Sequence, residues 1–463
     1  MKQSKKIHFE VSERKILLRI FDVLFVLLAL FIIGEIFNFG YFKISASNFY
    51  WTIVLGLYLN VIGTVFEMYN LQVASNELQV VKSIILTASC TVLIYLLTPI
   101  FTPVLPSNRI QILFFFLAVL LALFFWRMLY VRFFGSQRFT KKVVLICDRE
   151  QVRELVSGLE NVDPHYKVIG YINTEHASDV TVNHAVQNVL AEELSAFVRA
   201  NSASEVVIAS QKPDAITINL YNQLIHLLES GFIIREYTQV YESITQRIPV
   251  QYVARDFYRF FPFSRSNQNQ LYLLAVRIFE VLISIAGLAV GLILLPIILI
   301  GNSIGNRGKL FYTQQRVGKN GTVFTIIKFR TMVKNAESGG AVFTTTNDAR
   351  ITKFGKFLRK TRIDEFPQFL NILKGEMAVI GPRPERPVFV AEIAEKMPFY
   401  ETRHVVKPGL TGWAQVNYSY GETIDDSLMK LQYDLYYIKH RSLFLDVNIM
   451  VKTLSTILFY RGQ

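Results

Sequence analysis

The sequence predicts a membrane protein with three parts: an α-helical N-terminal region, an α/β domain and a C-terminal α+β region. Hydrophobic residues make up 51% of the 463 residues and charged residues only 18%, a balance that a soluble chain has difficulty burying. Several apolar stretches approach the length of a membrane span, and a middle segment alternates short apolar runs with helical patterns. The chain is also too long for one ordinary core, which favours two or three structural units.

The formal net charge of +13 comes from basic residues that are scattered among apolar runs. This pattern is typical of proteins that meet an anionic membrane surface or anionic substrates. None of the sequence signatures of nucleic-acid binding is present, so we expect no nucleic-acid partner. Cys90 and Cys147 lack metal-ligand or CxxC spacing, which supports neither a disulfide framework nor a zinc site.

Residues 1–140 are predicted to hold four transmembrane helices. The apolar stretches run over about 16–37, 50–66, 83–103 and 110–131, and the second is short for a span of ~20 residues. The first is too long for a signal peptide and lacks a small-residue cleavage site. Basic residues cluster before the first stretch and after the fourth, whereas the two loops expected outside carry only Lys43 and Arg109. Both ends of this region are therefore predicted to face the cytoplasm.

A fifth apolar stretch, at about 278–300, conflicts with a simple crossing. Six cations follow it with no acidic residue between 301 and 330: Arg307, Lys309, Arg316, Lys319, Lys328 and Arg330. Crossing the membrane here would put this basic block outside, against the positive-inside rule. Pro296 removes one helix hydrogen bond and allows a bend, so we expect a re-entrant helix over 271–300. A proline-kinked spanning helix is the alternative.

The middle segment, 141–240, is predicted to be a small doubly wound α/β domain of the Rossmann-like kind. KKVVLIC, KVIGYI, EVVIAS and FIIREY have the composition of strands, and amphipathic helical stretches separate them. The turn after the first strand reads CDREQ, without the glycines that let backbone approach a pyrophosphate. We therefore interpret the domain as degenerate, with a structural or regulatory role. Residues 241–270 are predicted to be a linker near the membrane surface.

The C-terminal region, 271–463, carries the residues that indicate chemistry. A hairpin with a GKNG turn is predicted to end in Lys328, Phe329 and Arg330, where cations are either a solvated strand edge or a phosphate site. DEFPQFLNILKG is predicted to be one helix, with Asp364 as its N-cap and Gly375 as its stop.

Capping does not explain why Glu365 follows Asp364, or why Arg383 stands in a proline-rich turn. Six cations also precede the acidic pair: Arg350, Lys353, Lys356, Arg359, Lys360 and Arg362. Two adjacent carboxylates beside several cations favour a site for Mg²⁺ and phosphate, with an exposed basic helix face as the alternative.

At these residues the chain resembles the bacterial sugar transferases, polyprenol-phosphate phosphoglycosyltransferases, in their large form with a polytopic N-terminal region. The motifs are RVGKNG, KFRTM, NDARIT, LRKTRIDEFPQFLNILKGEM, GPRPE, VKPGLTGWAQVN and KLQYDLYYI, in order over 271–463. The resemblance implies a monotopic α+β catalytic domain at the cytoplasmic face of the bacterial inner membrane. It also implies transfer of a sugar 1-phosphate from a UDP-sugar to undecaprenyl phosphate, with release of UMP, to begin an exopolysaccharide, capsule or O-antigen.

Roles follow from the resemblance position by position. It implies Asp364 as the nucleophile that forms a covalent phospho-sugar intermediate, and Glu365 as the ligand of the cofactor Mg²⁺. Lys328, Arg359 and Arg383 match phosphate-holding positions. Arg330 and Glu385 stand in the same motifs and are further candidates for substrate binding.

Two other readings stay open at this point. The first alternative is a catalytically inactive scaffold of a polysaccharide assembly complex. The second is an ordinary glycosyltransferase that transfers the whole sugar and releases UDP. The sequence does not name the sugar, and a homodimer is possible. The last stretch, RSLFLDVNIMVKTLSTILFY, is predicted to be an interfacial amphipathic helix or a core helix.

Overall fold

The structure, a computed structural model, divides into two compact units, Met1–Thr245 and Gln246–Gln463. It describes residues 11–37, 41–42, 48–74, 77–134, 140–148, 151–161, 163, 166–174, 186–210, 216–250, 267–306, 308–334, 336, 348–397, 399–418 and 424–458. The predicted linker includes residues 251–266, which lie outside the described residues.

The first unit begins with apolar helices. Their bounds are α1 (Val11–Ile36), α2 (Phe49–Val65), the short α3 (Leu71–Ala74), α4 (Glu77–Leu97) and α5 (Ile110–Phe134). The third long helix ends at Leu97 and not near 103 as the hydropathy predicted, because Pro99 lacks a backbone donor and disfavours the helical conformation at Thr98. The four long helices α1, α2, α4 and α5 pack together through a core that includes Leu30, Leu55, Ile84 and Phe115.

Four helices in the described part of the chain are long and apolar enough to cross a membrane. They are Glu13–Ile36, Gln79–Leu97, Ile110–Arg132 and Gln270–Asn306. The second predicted span, Phe49–Val65, has 17 residues and falls in the shorter class. Membrane-length helices are thus present both in the N-terminal region and at the start of the second unit.

A five-stranded parallel sheet completes the first unit. Its strands are β1 (Lys141–Cys147), β2 (Tyr166–Asn173), β3 (Gln187–Asn188), β4 (Glu205–Ile208) and β5 (Ile233–Glu236), in the order β3-β2-β1-β4-β5. Helices α6 (Val152–Glu160), α7 (Leu194–Ala200), α8 (Ile218–Glu229) and α9 (Tyr237–Thr245) join or follow them. The predicted parallel sheet with helices is confirmed. Strand β3 was missed because two exposed polar residues carry no strand signal.

The second unit starts with the long helix α10 (Gln270–Gly301). The helix continues through Pro296 and is followed by one π-helical turn, Asn302–Asn306. The remaining elements are β6 (Phe311–Val317), β7 (Val323–Phe329), α11 (Lys353–Lys360), α12 (Phe369–Lys374), β8 (Ala378–Ile380), α13 (Pro387–Lys396), β9 (Gly409–Thr411), α14 (Trp413–Asn417), α15 (Ile424–His440) and α16 (Leu443–Leu458). Strands β6 and β7 form the predicted antiparallel hairpin, and β8 pairs with β9 in parallel.

The segment that carries the acidic pair packs against α10 at two glycines of that helix. A Cβ at Gly287 would lie 2.3 Å from the Phe369 ring, and a Cβ at Gly291 would lie 3.3 Å from Phe366. Arg277 of the same helix donates to the carbonyls of Ile372 and Leu373 at 2.7 Å each, which satisfies the end of α12. The absent side chains let the aromatic rings approach the helix backbone, and so the segment with the acidic pair lies directly against an apolar, membrane-length helix.

Candidate functional site

The hairpin presents Lys328 to the interior of the second unit. Lys328 pairs with Tyr312 in the register and follows Phe324 and Ile326, two buried side chains, at the strand period of two. The turn is tight because Asn320 and Gly321 both adopt the left-handed conformation, with φ of 56° and 77°. A cation therefore stands on the inward face of β7.

The acidic pair lies on a short 3-10 helix, Ile363–Gln368, which precedes α12. The prediction that Asp364 caps a single helix is wrong. The cap position belongs to Arg362, whose φ of 58° turns the chain sharply after α11, and Asp364 lies inside the helical turn. Gly375 ends α12 in the left-handed conformation, with φ of 84°, as predicted.

Asn371 joins this segment to the hairpin. Its side chain is fully buried, donates to the carbonyl of Thr325 at 2.8 Å and accepts from the amide of Ile327 at 3.3 Å. Both partners belong to β7, the strand that carries Lys328. The lysine and the acidic pair are thereby held in one rigid arrangement.

Three cations converge on one oxygen of Glu365. Its Oε1 lies 3.3 Å from Lys328 Nζ, 3.4 Å from Arg383 Nη2 and 3.7 Å from Arg362 Nη1. Burial alone would raise the pKa of Glu365, but these three positive charges outweigh it and lower the pKa to about 2. Glu365 is therefore ionised at every physiological pH.

Asp364 is also buried, with 7% of its surface exposed, but it is poorly satisfied. Its Oδ1 is buried and has no hydrogen-bond partner among the described residues. Burial, and then the neighbouring charge of Glu365, raise the pKa of Asp364 to about 6. Glu365 is thus the ionised member of the pair. Asp364 is the more basic carboxylate, and its Oδ1 accepts no hydrogen bond from the described residues.

The other predicted site residues have further partners in the second unit. Arg359 donates from Nε to Thr331 Oγ1 at 2.9 Å. Arg330 has a buried Nε without an acceptor in the described part of the chain, and its amide bonds to the carbonyl of Leu310. Glu385 lies 3.5 Å from Arg316 and accepts from the amide of Val317 through its carbonyl, which ties the GPRPE turn to β6.

The six cations that precede the pair do not all approach it. Lys353, Lys356 and Lys360 are exposed on α11, and Arg350 pairs with Asp348. Arg362 contacts Glu365 directly, and the charge of Arg359 acts against the rise in the pKa of Asp364. The helix period explains the difference, since residues three and four apart on α11 share the solvent face.

Sequence reasoning missed the group that holds Arg383. Arg403 is buried and donates to the carbonyl of Arg383 at 3.0 Å, to Asp434 Oδ2 at 2.7 Å and to the Tyr400 hydroxyl at 2.7 Å. Arg403 lies 20 positions after Arg383, Asp434 lies 31 positions after Arg403, and Tyr400 precedes Arg403 by three residues. Only the fold brings them together, and no local spacing marked them.

Two glycines allow the turn that carries Arg383 to lie against the β9 strand. The amide of Gly409 donates to the carbonyl of Pro382, and the amide of Gly381 donates to the carbonyl of Thr411, each at 2.9 Å. A Cβ on Gly409 would come within 2.1 Å of the Gly381 nitrogen. Backbone cannot yield to such an overlap, so glycine is required at this position.

The donor set fits Mg²⁺ only if the substrate supplies further ligands. Among the described residues no cluster of three or more His, Cys, Asp or Glu side chains is close enough to hold a metal. Mg²⁺ is commonly held by one or two carboxylates together with substrate phosphates and water, which is what Asp364 and Glu365 could offer. The unpartnered, buried Asp364 Oδ1 is consistent with a ligand that completes the site.

Comparison with protein families gives a match over the second unit. The family model described as bacterial sugar transferase matches residues 271–460. The uncharacterized sugar transferase EpsL of Bacillus subtilis (strain 168) is 38% identical over 171 residues, which are 37% of this chain and 80% of that protein.

Two longer relatives carry more specific names. The UDP-N-acetylgalactosamine-undecaprenyl-phosphate N-acetylgalactosaminephosphotransferase of Aeromonas hydrophila is 51% identical over 151 residues, 33% of this chain and 36% of that protein. The UDP-glucose:undecaprenyl-phosphate glucose-1-phosphate transferase of Xanthomonas campestris pv. campestris is 43% identical over 164 residues, 35% of this chain and 34% of that protein. The chain thus covers about a third of the length of each.

Proposed function

Since the chain belongs to the bacterial sugar transferase family, we propose that it transfers a sugar 1-phosphate from a UDP-sugar to undecaprenyl phosphate and releases UMP. The names of the Aeromonas and Xanthomonas relatives support this type of reaction. The observation that carries the proposal is the buried pair itself, a basic carboxylate with an unused oxygen beside an anion that gathers three cations.

In the first step Asp364 attacks the phosphorus that bears the sugar. A carboxylate oxygen of Asp364 forms a bond to that phosphorus, the bond from this phosphorus to the bridging oxygen breaks, and UMP leaves with that oxygen and its electron pair. The ionised Glu365 favours this step because its negative charge raises the basicity of Asp364. The product on the enzyme is an aspartyl phospho-sugar.

In the second step an oxygen of undecaprenyl phosphate attacks the same phosphorus. The bond from the phosphorus to Asp364 breaks, the carboxylate is regenerated, and a sugar diphospho-lipid leaves. Lys328 and Arg383, which are bound to Glu365 Oε1, stabilise the charge on the phosphate oxygens in both steps. Two sequential displacements predict ping-pong kinetics.

Glu365, with Asp364 beside it, would hold Mg²⁺. When bound, Mg²⁺ would supply positive charge that neutralises the diphosphate of the substrate. The protein's own part is to keep Glu365 ionised by means of Lys328, Arg383 and Arg362, in that order of influence on its pKa.

We also propose that the second unit works at the cytoplasmic membrane face, with α10 re-entrant and the α/β domain Rossmann-like. The basic hairpin after α10 supports the cytoplasmic assignment by the positive-inside rule. A lipid phosphate lies at the membrane interface, and Phe366 and Phe369, which follow the acidic pair, pack against Gly291 and Gly287 of the apolar α10. This arrangement would bring both substrates to one site.

Cysteine accessibility tests this topology. In a chain whose Cys90 and Cys147 are replaced by serine, Lys319→Cys in the hairpin turn should react with a membrane-impermeant maleimide only after spheroplasts are permeabilised. Ser107→Cys, in a loop predicted outside, should react in intact spheroplasts, and Glu154→Cys in α6 should behave like Lys319→Cys. Labelling of Lys319→Cys in intact spheroplasts would instead establish a spanning helix.

Nucleotide release tests the reaction. Purified full-length protein with Mg²⁺, undecaprenyl phosphate and a panel of UDP-sugars should release UMP with at least one sugar, and UDP-N-acetylgalactosamine and UDP-glucose belong in the panel. Release of UDP would identify a whole-sugar transferase. No nucleotide product from any sugar, under conditions in which a relative is active, would favour the inactive scaffold.

A further inference from the structure

Gln368 ends the short helix that carries the acidic pair, and its side chain is left unsatisfied. Only 2% of the residue is exposed, yet its Nε2 is buried and has no acceptor among the described residues. A buried amide donor without an acceptor destabilises the folded state, and apolar side chains of similar size avoid that cost. A role other than stability therefore explains why a glutamine occupies this position.

The surroundings of Gln368 indicate which ligand would satisfy it. Gln368 lines a small pocket together with Arg316, Lys328 and Arg383, three cations from three different parts of the chain. Arg316 Nε is likewise buried without an acceptor in the described residues. Two unused donors beside three positive charges match the oxygen atoms of an anion, since a cation or a neutral donor would satisfy neither.

Hydrogen bonds hold Arg316 and the turn that carries Arg383 in place before a ligand arrives. Arg316 donates to the carbonyl of Pro384 at 3.0 Å and to Gln314 Oε1 at 2.6 Å, and the carbonyl of Arg383 accepts from Arg403. Donors that need no rearrangement stabilise developing charge most effectively.

We propose that Gln368 Nε2, with Arg316 Nε, donates hydrogen bonds to a non-bridging phosphate oxygen of a substrate. This assignment rests on the proposed function for the identity of the substrates, because the UDP-sugar and undecaprenyl phosphate both carry such oxygens. The geometry makes Gln368 a binding residue of the phosphate pocket, while Asp364 at the other end of the same short helix performs the covalent step.

The test compares Gln368→Met with Gln432→Met in the purified full-length protein. Both glutamines are buried, at 2% and 1% exposure, but Gln432 lies on α15 and is absent from the pocket lining. Titration with UMP and with uridine, with Mg²⁺ present, separates phosphate contacts from nucleoside contacts. We expect Gln368→Met to weaken UMP binding about tenfold or more, as for a lost hydrogen bond to a charged group, and to leave uridine binding unchanged.

Thermal unfolding distinguishes ligand binding from a structural role. Gln368→Met should melt at the same temperature as the wild type or higher, because it removes an unsatisfied buried donor. A lower melting temperature with unchanged UMP affinity would overturn the assignment, as would an equal loss of UMP affinity in Gln432→Met.

Steady-state kinetics then assigns the phosphate. A rise in KM for the UDP-sugar places Gln368 on the nucleotide diphosphate, and a rise in KM for undecaprenyl phosphate alone places it on the lipid phosphate. Weakened UMP binding in a protein that releases no UMP would uphold the pocket and refute the proposed reaction. Normal UMP release by Gln368→Met, with wild-type KM for both substrates, would refute the pocket and leave the reaction standing.

Discussion

Asp364→Asn is expected to lower the rate of UMP release by about a thousandfold or more, since it removes the nucleophile of the proposed first step. The amide keeps the size and the buried position of the carboxylate, but it is uncharged and a far weaker nucleophile towards phosphorus. Burial is unfavourable to charge, so an amide at this position should not unfold the protein. The measurement is UMP release with a saturating UDP-sugar and undecaprenyl phosphate.

The covalent intermediate gives a second readout of the same substitution. Wild-type protein incubated with the UDP-sugar in the absence of lipid should gain the mass of a sugar phosphate, and Asp364→Asn should not. Glu392→Gln is the control, because Glu392 is exposed on α13 and pairs with Lys396. An Asp364→Asn protein with wild-type activity, or with the mass adduct, would show that another group is the nucleophile.

Arg403→Leu is expected to lower the free energy of unfolding of the second unit by about 3–5 kcal/mol, because it leaves Asp434 charged and unpaired in the interior. Arg403 and Asp434 are 4% and 1% exposed, and two nitrogens of Arg403 contact Asp434 Oδ2 at 2.7 and 3.1 Å. The same substitution removes the hydrogen bond to the carbonyl of Arg383. Chemical denaturation in detergent measures the first effect, and UMP release measures the second.

A double variant separates the two consequences. Arg403→Leu/Asp434→Leu removes both buried charges and should recover most of the stability, yet activity should stay low because Arg383 is no longer positioned. Lys396→Met is the control, since the pair between Lys396 and Glu392 is half exposed and should contribute less than about 1 kcal/mol. If Arg403→Leu costs no more stability than Lys396→Met, the buried pair has no structural role.

The predicted elements that proved correct are those with strong local signals. The β6 and β7 hairpin followed from the GKNG turn, in which Asn320 and Gly321 tolerate a positive φ, and Gly375 marked the end of α12 for the same reason. The parallel sheet followed from short apolar runs such as KKVVLIC. In each case residues that are adjacent in the sequence account for the local structure.

The helix over the acidic pair was mispredicted because its cause is not local. Asp364 satisfies the composition rules for an N-cap, but Arg362 takes the left-handed conformation and moves Asp364 into a 3-10 turn. Phe366 in that turn and Phe369 after it pack on Gly291 and Gly287 of α10, which lie 75 and 82 positions earlier in the chain. Composition rules describe the residues near a cap and not the surface against which the segment packs.

By itself the sequence marked the residues to which we assign the proposed chemistry: an acidic pair, a lysine at the end of a strand and an arginine in a proline-rich turn. It also determined the membrane-length helices, because hydropathy and helix length are properties of contiguous residues. Tertiary structure alone decided that the two carboxylates of the pair have different surroundings. Glu365 meets Lys328 and Arg383, and Gln368 shares a pocket with Arg316, only because β6, β7 and the GPRPE turn fold onto one short helix. Charges act through distance in space, and the pattern of charges along a chain does not fix those distances.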